Sequence, residues 1–464
     1  MKKRMALLGT IAIASSLAGL AGCKKADSGV SITYLNFKPE VKENYEAIVA
    51  AYKKETGKTV VVETAAAGTY DTTLTSKMGS DMPAIFQVNG PVGLKKWKDY
   101  CGDLTQDTLY TKLSDQSLAL KSDDKVLAVP NTVEGYGIIY NAALTKAYFA
   151  LTDRAATGAN SMDDVKSYAT LKKVVEDMTA KIAAGKIGTT DIPAATVKGV
   201  FAGTSLKTGE QWRWQTHLLS VSLTGEYGSN LSAVPSTLDW TYNANYRNLF
   251  NLYVNNSCDA ANSLAAKSVD DSMAEVAAGN AIMVQNGNWG AGQILSATGN
   301  KVKSDDLKYL PLYMGDMGDN VKEASQGVCV GTENYLCINS KVSTEQQTAA
   351  KDFLHWLYLD NGKQYVAKAI ADGGLGFIPT FQGYDTDALK PTDPLSKQIM
   401  SWMSKDGVKS LPWTFNFIPS ETVKNTLGAD LVKYINAGFS DASWNTAVSD
   451  TKASWATEAA AAAK

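Results

Sequence analysis

The stretch from Ser31 to Glu63 constrains the fold more than any other. Ser31–Phe37 (SITYLNF) and Thr59–Glu63 (TVVVE) are rich in β-branched and aromatic residues and read as strands. Between them Tyr45, Ile48, Val49 and Tyr52 recur at helical spacing, and Gly57 supplies a C-terminal stop. Two strands joined by a helical crossover lie parallel, so this is a βαβ unit and the region begins an open α/β sheet. The pattern continues with a polar helix from about Asp71 to Met78, a strand at Ala84–Val88 and a helix near Leu94–Tyr100. Apolar strand segments follow at Val126–Pro130 and Gly137–Asn141. In such a sheet, ligands bind at loops beyond the strand ends.

A chain of 464 residues is too long for one ordinary core, which predicts two domains. Helical spacing predicts helices over Tyr168–Ile182, Trp212–Leu223 and Tyr246–Val254. Ala274–Asn280 predicts a short helix leading into a buried strand at Ala281–Gln285. Ser343-Thr344-Glu345-Gln346 forms a capping box, and Phe353, Trp356 and Leu357 set the helix it starts against a core. There is no internal repeat and no Pro-rich linker. Two domains without a linker imply that the chain passes between them more than once.

Lys2, Lys3 and Arg4 precede an uncharged run from Met5 to Gly22, the layout of an export signal. The run ends in Leu20-Ala21-Gly22-Cys23, which resembles the bacterial lipobox. That resemblance implies removal of residues 1–22 and a lipid on Cys23, with 23–30 as a tether at the outer face of the cell membrane. Of the five cysteines, Cys101, Cys258, Cys329 and Cys337 then remain. A hairpin centred near Glu333 would bring Cys329 and Cys337 together, whereas one continuous strand would hold them apart; buried free thiols are the preferred reading.

Composition removes several functions. A formal net charge of −2 lacks the basic footprint that nucleic acid requires. Two histidines, His217 and His355, and no Cys-x-x-Cys argue against a metal centre, and no cofactor is expected. Binding is favoured over catalysis.

The order of SITYLNF, TVVVE, PAIFQVNG, VPNTVEGYGIIYN, AIMVQNGNWG and KDFLHWL resembles the extracellular solute-binding proteins of bacterial ABC importers. It is most similar to the carbohydrate-binding group that includes maltose-binding protein. The resemblance implies two interleaved α/β lobes of the periplasmic-binding-protein fold, closing over a di- or oligosaccharide. One lobe would hold 31–139 and 308–358 and the other 141–305 and 361–464, with crossings near Tyr140, Ser304 and Leu359. It further implies a monomer that delivers its ligand to a pair of permease subunits.

Sugars need aromatic planes for ring faces and Asp, Glu, Asn or Gln for hydroxyls. Asn286, Asn288 and Trp289 follow a buried strand and supply that mixture; Trp289 stands at the family's stacking position, and packing in the core is the alternative. Glu134 matches a family carboxylate that accepts sugar hydroxyls, or else it holds loop amides. In Glu210-Gln211-Trp212-Arg213-Trp214, either Trp212 or Trp214 would be the stacker of the second lobe, leaving the other on the opposite side or in the core. Asn36, Tyr70 and Asn89 adjoin strand ends, where turn and capping roles compete with ligand binding. Glu333 and Trp413 are chosen for polarity and aromatic surface in turn-rich segments. A lipid-anchored glycoside hydrolase is the rival from another class, since it combines tryptophans with paired carboxylates. The same fold with a non-sugar solute is the other.

Overall fold

The computed structural model describes residues 30–463 apart from 67, 232, 372–374 and 385, so the export signal and Cys23 lie outside the described residues. The βαβ unit forms as expected. Strand β1 (Ile32–Asn36) pairs in parallel with β2 (Val60–Thr64). The helix between them, Lys42–Thr56, buries Tyr45, Ile48 and Tyr52 and ends at Gly57 with φ 75°. That conformation carries a steric penalty for any residue with a Cβ. Strand β3 (Ile85–Asn89) joins the other side of β1, again parallel, and β4 (Leu120–Ser122) and β5 (Lys125–Pro130) make an antiparallel pair.

After Asn131 the chain leaves this sheet. Strand β6 (Thr132–Asn141) is the hub of a second sheet, in which β7 (Gly199–Phe201) runs parallel to β8 (Ala281–Gly287) and β8 runs antiparallel to β6. Strands β9 (Leu307–Leu310) and β10 (Gln326–Gly331) also pair with β6. The chain then returns, and β11 (Asn334–Ile338) lies between β3 and β5. Finally β12 (Ile378–Pro379) pairs with β6, and β13 (Lys409–Leu411) with β10. Sheet order is β2-β1-β3-β11-β5-β4 in the first lobe and β13-β10-β6-β8-β7 in the second.

The interleaving of two α/β lobes is therefore present, but the crossings differ from those expected near Tyr140, Ser304 and Leu359. Glu134, Gly135 and Tyr136 already pair with β10, so the division of 31–139 from 141–305 moves back to Asn131. Residues 308–331, assigned to the first lobe, contribute β9 and β10 to the second sheet, and that crossing falls between Gly331 and Asn334. Val366 and Ile370 pack in the first lobe's core, whereas Ile378–Pro379 pairs with β6 and Phe381 packs in the first core again, so the last crossing runs along 376–381 rather than at Leu359. Alternation along a strand specifies which residues face a core but leaves the neighbouring strand unspecified.

This topology also answers the cysteine question. Cys329 in β10 and Cys337 in β11 belong to different sheets, so the hairpin that would bridge them does not exist. Cys101, Cys258, Cys329 and Cys337 are all free thiols. The capping box at Ser343–Gln346 opens the helix Thr344–Tyr358, with Phe353, Trp356 and Leu357 buried. Among the described residues no helix is long and apolar enough to cross a membrane.

Candidate functional site

The site begins where β1 ends. The side-chain carbonyl of Asn36 accepts from the Lys38 amide (3.2 Å), and its amide donates to the Lys38 carbonyl (2.7 Å) and to Thr64 Oγ1 (3.2 Å). Asn36 is thus a turn residue, fully occupied in folding the loop that carries Lys38. That loop sends Lys38 Nζ from the first lobe to Glu134 Oε1 in β6, 2.5 Å away. Burial pushes the Glu134 carboxyl up to about 7, against the opposing pull of the Lys38 ammonium. Burial by itself would lower Lys38, yet Glu134 and Glu40 more than offset it and keep the ammonium charged. The same Nζ stands 5.1 Å from the Trp289 ring centroid. Lys38 was not among the residues singled out from sequence, because a lone lysine after a strand carries no signal of its partner.

An aromatic wall faces this pair. Trp289 follows β8 and is half-buried, with ring centroids 6.0 Å from Trp212, 5.7 Å from His217 and 6.4 Å from Trp413. A Cβ on Gly287 would lie 2.0 Å from the Trp289 ring, so the absent side chain is the slot that admits the indole. His217 stacks on Tyr136 at 3.8 Å, and its Nδ1 lies 2.9 Å from Gln285 Nε2. Burial, reinforced by the nearby Arg213 charge, holds His217 well below its usual value and therefore neutral. Gln285 and His217 are wall residues that the sequence reading left out of its candidate set.

Three candidates point elsewhere. Trp214 is 1% exposed, donates from Nε1 to the Thr204 carbonyl at 2.5 Å and packs on Phe250 and Tyr253, so it is core and Trp212 is the wall residue. Asn286 turns to the opposite face of β8, where its Nδ2 lies 3.2 Å from the Met273 sulfur. Asn288 accepts from the Gly135 amide and donates to the Gly376 carbonyl and Ser396 Oγ, each at 2.9 Å. Those three bonds tie β6 to two later segments and leave Asn288 a structural clamp.

Beside the wall, a cavity of about 890 Å³ opens between the lobes. Tyr70, Gln87 and Asn89 line it from the first lobe, Phe415, Asn416 and Lys424 from the second, and Glu333 from the crossing between β10 and β11. Phe415 joins it to the wall by packing 5.1 Å from Trp413. Tyr70 is committed in part: its hydroxyl accepts from the Gln87 amide (2.7 Å) and donates to the Gln87 carbonyl (3.0 Å). Burial pushes the Glu333 carboxyl up, although Lys424 and Lys38 pull it down.

In the cavity lining Gln87 Nε2, Asn89 Oδ1 and Asn416 Oδ1 are buried with no protein partner among the described residues, and so are Gln285 Oε1 and Trp413 Nε1 at the wall and Thr332 Oγ1 next to Glu333. Buried polar groups are nearly always satisfied, so a set of donors and acceptors left open beside aromatic planes is suited to a ligand with many hydroxyls.

The chain belongs to the bacterial extracellular solute-binding protein family, whose model matches residues 47–414. Solved structures share its fold over nearly the whole chain. A chitin oligosaccharide binding protein is similar at 18% identity and TM-score 0.68, covering 94% of this chain and 100% of its own. The solute-binding protein RafE in complex with raffinose is similar at 18% identity and TM-score 0.65, covering 92% and 99%. Maltose-bound MalE3 of T. maritima gives 15% identity and TM-score 0.65, covering 92% and 99%. No curated protein sequence matches the chain.

Proposed function

We propose that this protein captures a di- or oligosaccharide in the cleft between its lobes and hands it to the permease subunits of an ABC importer. The observation that carries the reading is the cluster of Trp212, Trp289 and Trp413 beside an interlobe cavity whose lining leaves Gln87 Nε2, Asn89 Oδ1 and Asn416 Oδ1 buried without a protein partner. Indole faces take the apolar faces of pyranose rings, and the open donors and acceptors take the hydroxyls. Gln87, Asn89 and Glu333 serve from one side of the cavity, with Asn416 opposite them. A volume of about 890 Å³ suits a ligand of a few rings. The named ligands of the similar structures, chitin oligosaccharide, raffinose and maltose, support the same class.

In this reading the protein is a monomer held at the outer face of the membrane by lipid on Cys23. Ligand binding draws the lobes together, because the closed form makes contacts to sugar that the open form lacks. Catalysis is not part of it. Glu134, whose partner Lys38 stands over the Trp289 ring, is ion-paired instead of standing free as an acid.

The test is tryptophan fluorescence and calorimetry against a panel of di- to tetrasaccharides, with product analysis of the same mixtures. Saturable binding without turnover is expected. Hydrolysis of a bound oligosaccharide, or binding of a peptide or metal with no response to any sugar, overturns the reading.

A further inference from the structure

Among the described residues no carboxylate pairs with the guanidinium of Arg213. Its side chain is buried, 2% exposed, at the base of the wall formed by Trp212 and His217. Nε donates to the Gln285 carbonyl at 3.1 Å, and the guanidinium lies 4.2 Å from the Trp212 ring centroid. Nη1 and Nη2 have no partner.

The acids whose fields reach it are engaged elsewhere. Glu210 accepts from the Val269 amide (2.6 Å) and pairs with Lys207 (3.3 Å). Asp270 accepts from Gln293 (3.3 Å), and Glu40 lies 3.9 Å from Lys38. The other cation of the wall, Lys38, already has Glu134. His217 is neutral and offers no anion.

A buried guanidinium without a counter-ion is unfavourable, and its planar pair of terminal N–H groups matches a carboxylate in bidentate geometry. A second observation points to the same place. Residues Arg213–Leu218 form a π-helical turn, a rare geometry that concentrates at functional sites. Arg213 opens this turn directly after Trp212, and His217 lies within it.

We infer that Arg213 receives the carboxylate of an acidic sugar, so that the ligand is an oligosaccharide bearing a uronic acid. This rests on the oligosaccharide reading above and narrows it. Trp212 holds the guanidinium flat, the Gln285 carbonyl fixes its Nε edge, and the free edge of Nη1 and Nη2 supplies the two hydrogen bonds. Neutral oligosaccharides leave that edge unpaired and lose affinity accordingly.

The experiment compares the full mature chain by calorimetry with galacturonate, glucuronate and mannuronate trimers, the methyl ester of each, and maltotriose and raffinose as neutral trimers. The ester keeps the ring and removes only the charge. At least tenfold tighter binding of one acid than of its ester is expected, with the difference abolished in Arg213→Gln and reduced in Arg213→Lys. Circular dichroism of both variants confirms their fold, and the comparison of acid with ester in the unaltered protein stands without either. An ester or neutral trimer bound as tightly as every acid overturns the assignment of Arg213 and leaves the oligosaccharide reading intact. No binding of any trimer, charged or neutral, overturns both.

Discussion

Two tryptophans separated by a single residue do opposite jobs. Trp214 fills the second lobe's core with its indole N–H satisfied by Thr204, whereas Trp212 is half-buried on the wall beside Trp289. Trp214→Ala is therefore expected to lower unfolding free energy by about 3–5 kcal/mol, the range for large aromatic deletions. Trp212→Ala is expected to change stability little and to weaken sugar binding by roughly tenfold, the scale of one aromatic contact. Urea denaturation and calorimetry of the two variants separate these outcomes; equal loss of stability in both would remove Trp212 from the site. Asp107 offers a test of a different kind. It caps the helix Thr108–Thr111 through the Leu109 amide (3.0 Å) and meets His355 (2.7 Å) and Lys351 (3.1 Å). Burial alone would raise its carboxyl, but those partners bring it from the ordinary 3.8 down to about 2. A folded-state value below the unfolded one adds stability above pH 3.8 that is lost as pH falls toward 2. The loss is at most about 2.5 kcal/mol, since one pH unit corresponds to about 1.4 kcal/mol. Urea midpoints at pH 5 and pH 3 should converge between the wild type and Asp107→Asn as the pH is lowered.

At the scale of elements, the helices were the most legible part of the chain. Tyr45, Ile48 and Tyr52 recur at the period that buries one helix face, and Ser343 with Gln346 marks a start; both signals lie within a few residues of each other. Strands were legible as strands, but their partners were not. Lys125–Pro130 and Thr132–Asn141 are separated by one residue and enter different sheets, because β6 pairs with β8, β9 and β10, which lie far along the chain. The π-helical turn at Arg213–Leu218 was read only as helix, since its sequence differs in no local pattern from an α-helical one. Strand β8 carries a prediction. Gly287→Ala places a methyl group 2.0 Å from the Trp289 ring, so the indole must leave its slot. Overpacking of this kind costs about 1–3 kcal/mol. A drop in melting temperature together with weaker sugar binding is expected by thermal scanning and titration; unchanged binding would show that the position of Trp289 is unimportant.

At the scale of the whole molecule, the chain crosses between lobes at Asn131, between Gly331 and Asn334, and again along 376–381. Several segments of backbone therefore connect the lobes, and in the proposed closure these crossings serve as the hinge. Lys38 and Glu134 join the lobes at this junction, one from the end of β1 and the other from β6. If ligand draws the lobes together, small-angle X-ray scattering should show a smaller radius of gyration in saturating oligosaccharide than without it. An identical scattering curve in both conditions would argue against closure. Breaking the junction is expected to be severe: a buried ammonium left without its carboxylate in Glu134→Ala costs about 3–5 kcal/mol.

The sequence by itself determined the class of architecture and the capped helices, and it named candidates for the proposed site. Helical periodicity, caps and aromatic-polar clusters are written in adjacent residues, and the order of motifs is a property of the linear chain. It advanced Trp214, Asn286, Asn288 and Asn36, whose side chains face the core, clamp the backbone or fold a turn, and Glu134, whose carboxylate is taken by Lys38. Only the tertiary structure decided which strands share a sheet, where the crossings fall, and that Lys38 meets Glu134 across 96 residues of sequence. It alone left Nη1 and Nη2 of Arg213 buried without a partner among the described residues. The reason is physical: local propensity acts over a turn or a strand, whereas sheet partners and charge pairs are selected by packing among segments hundreds of residues apart.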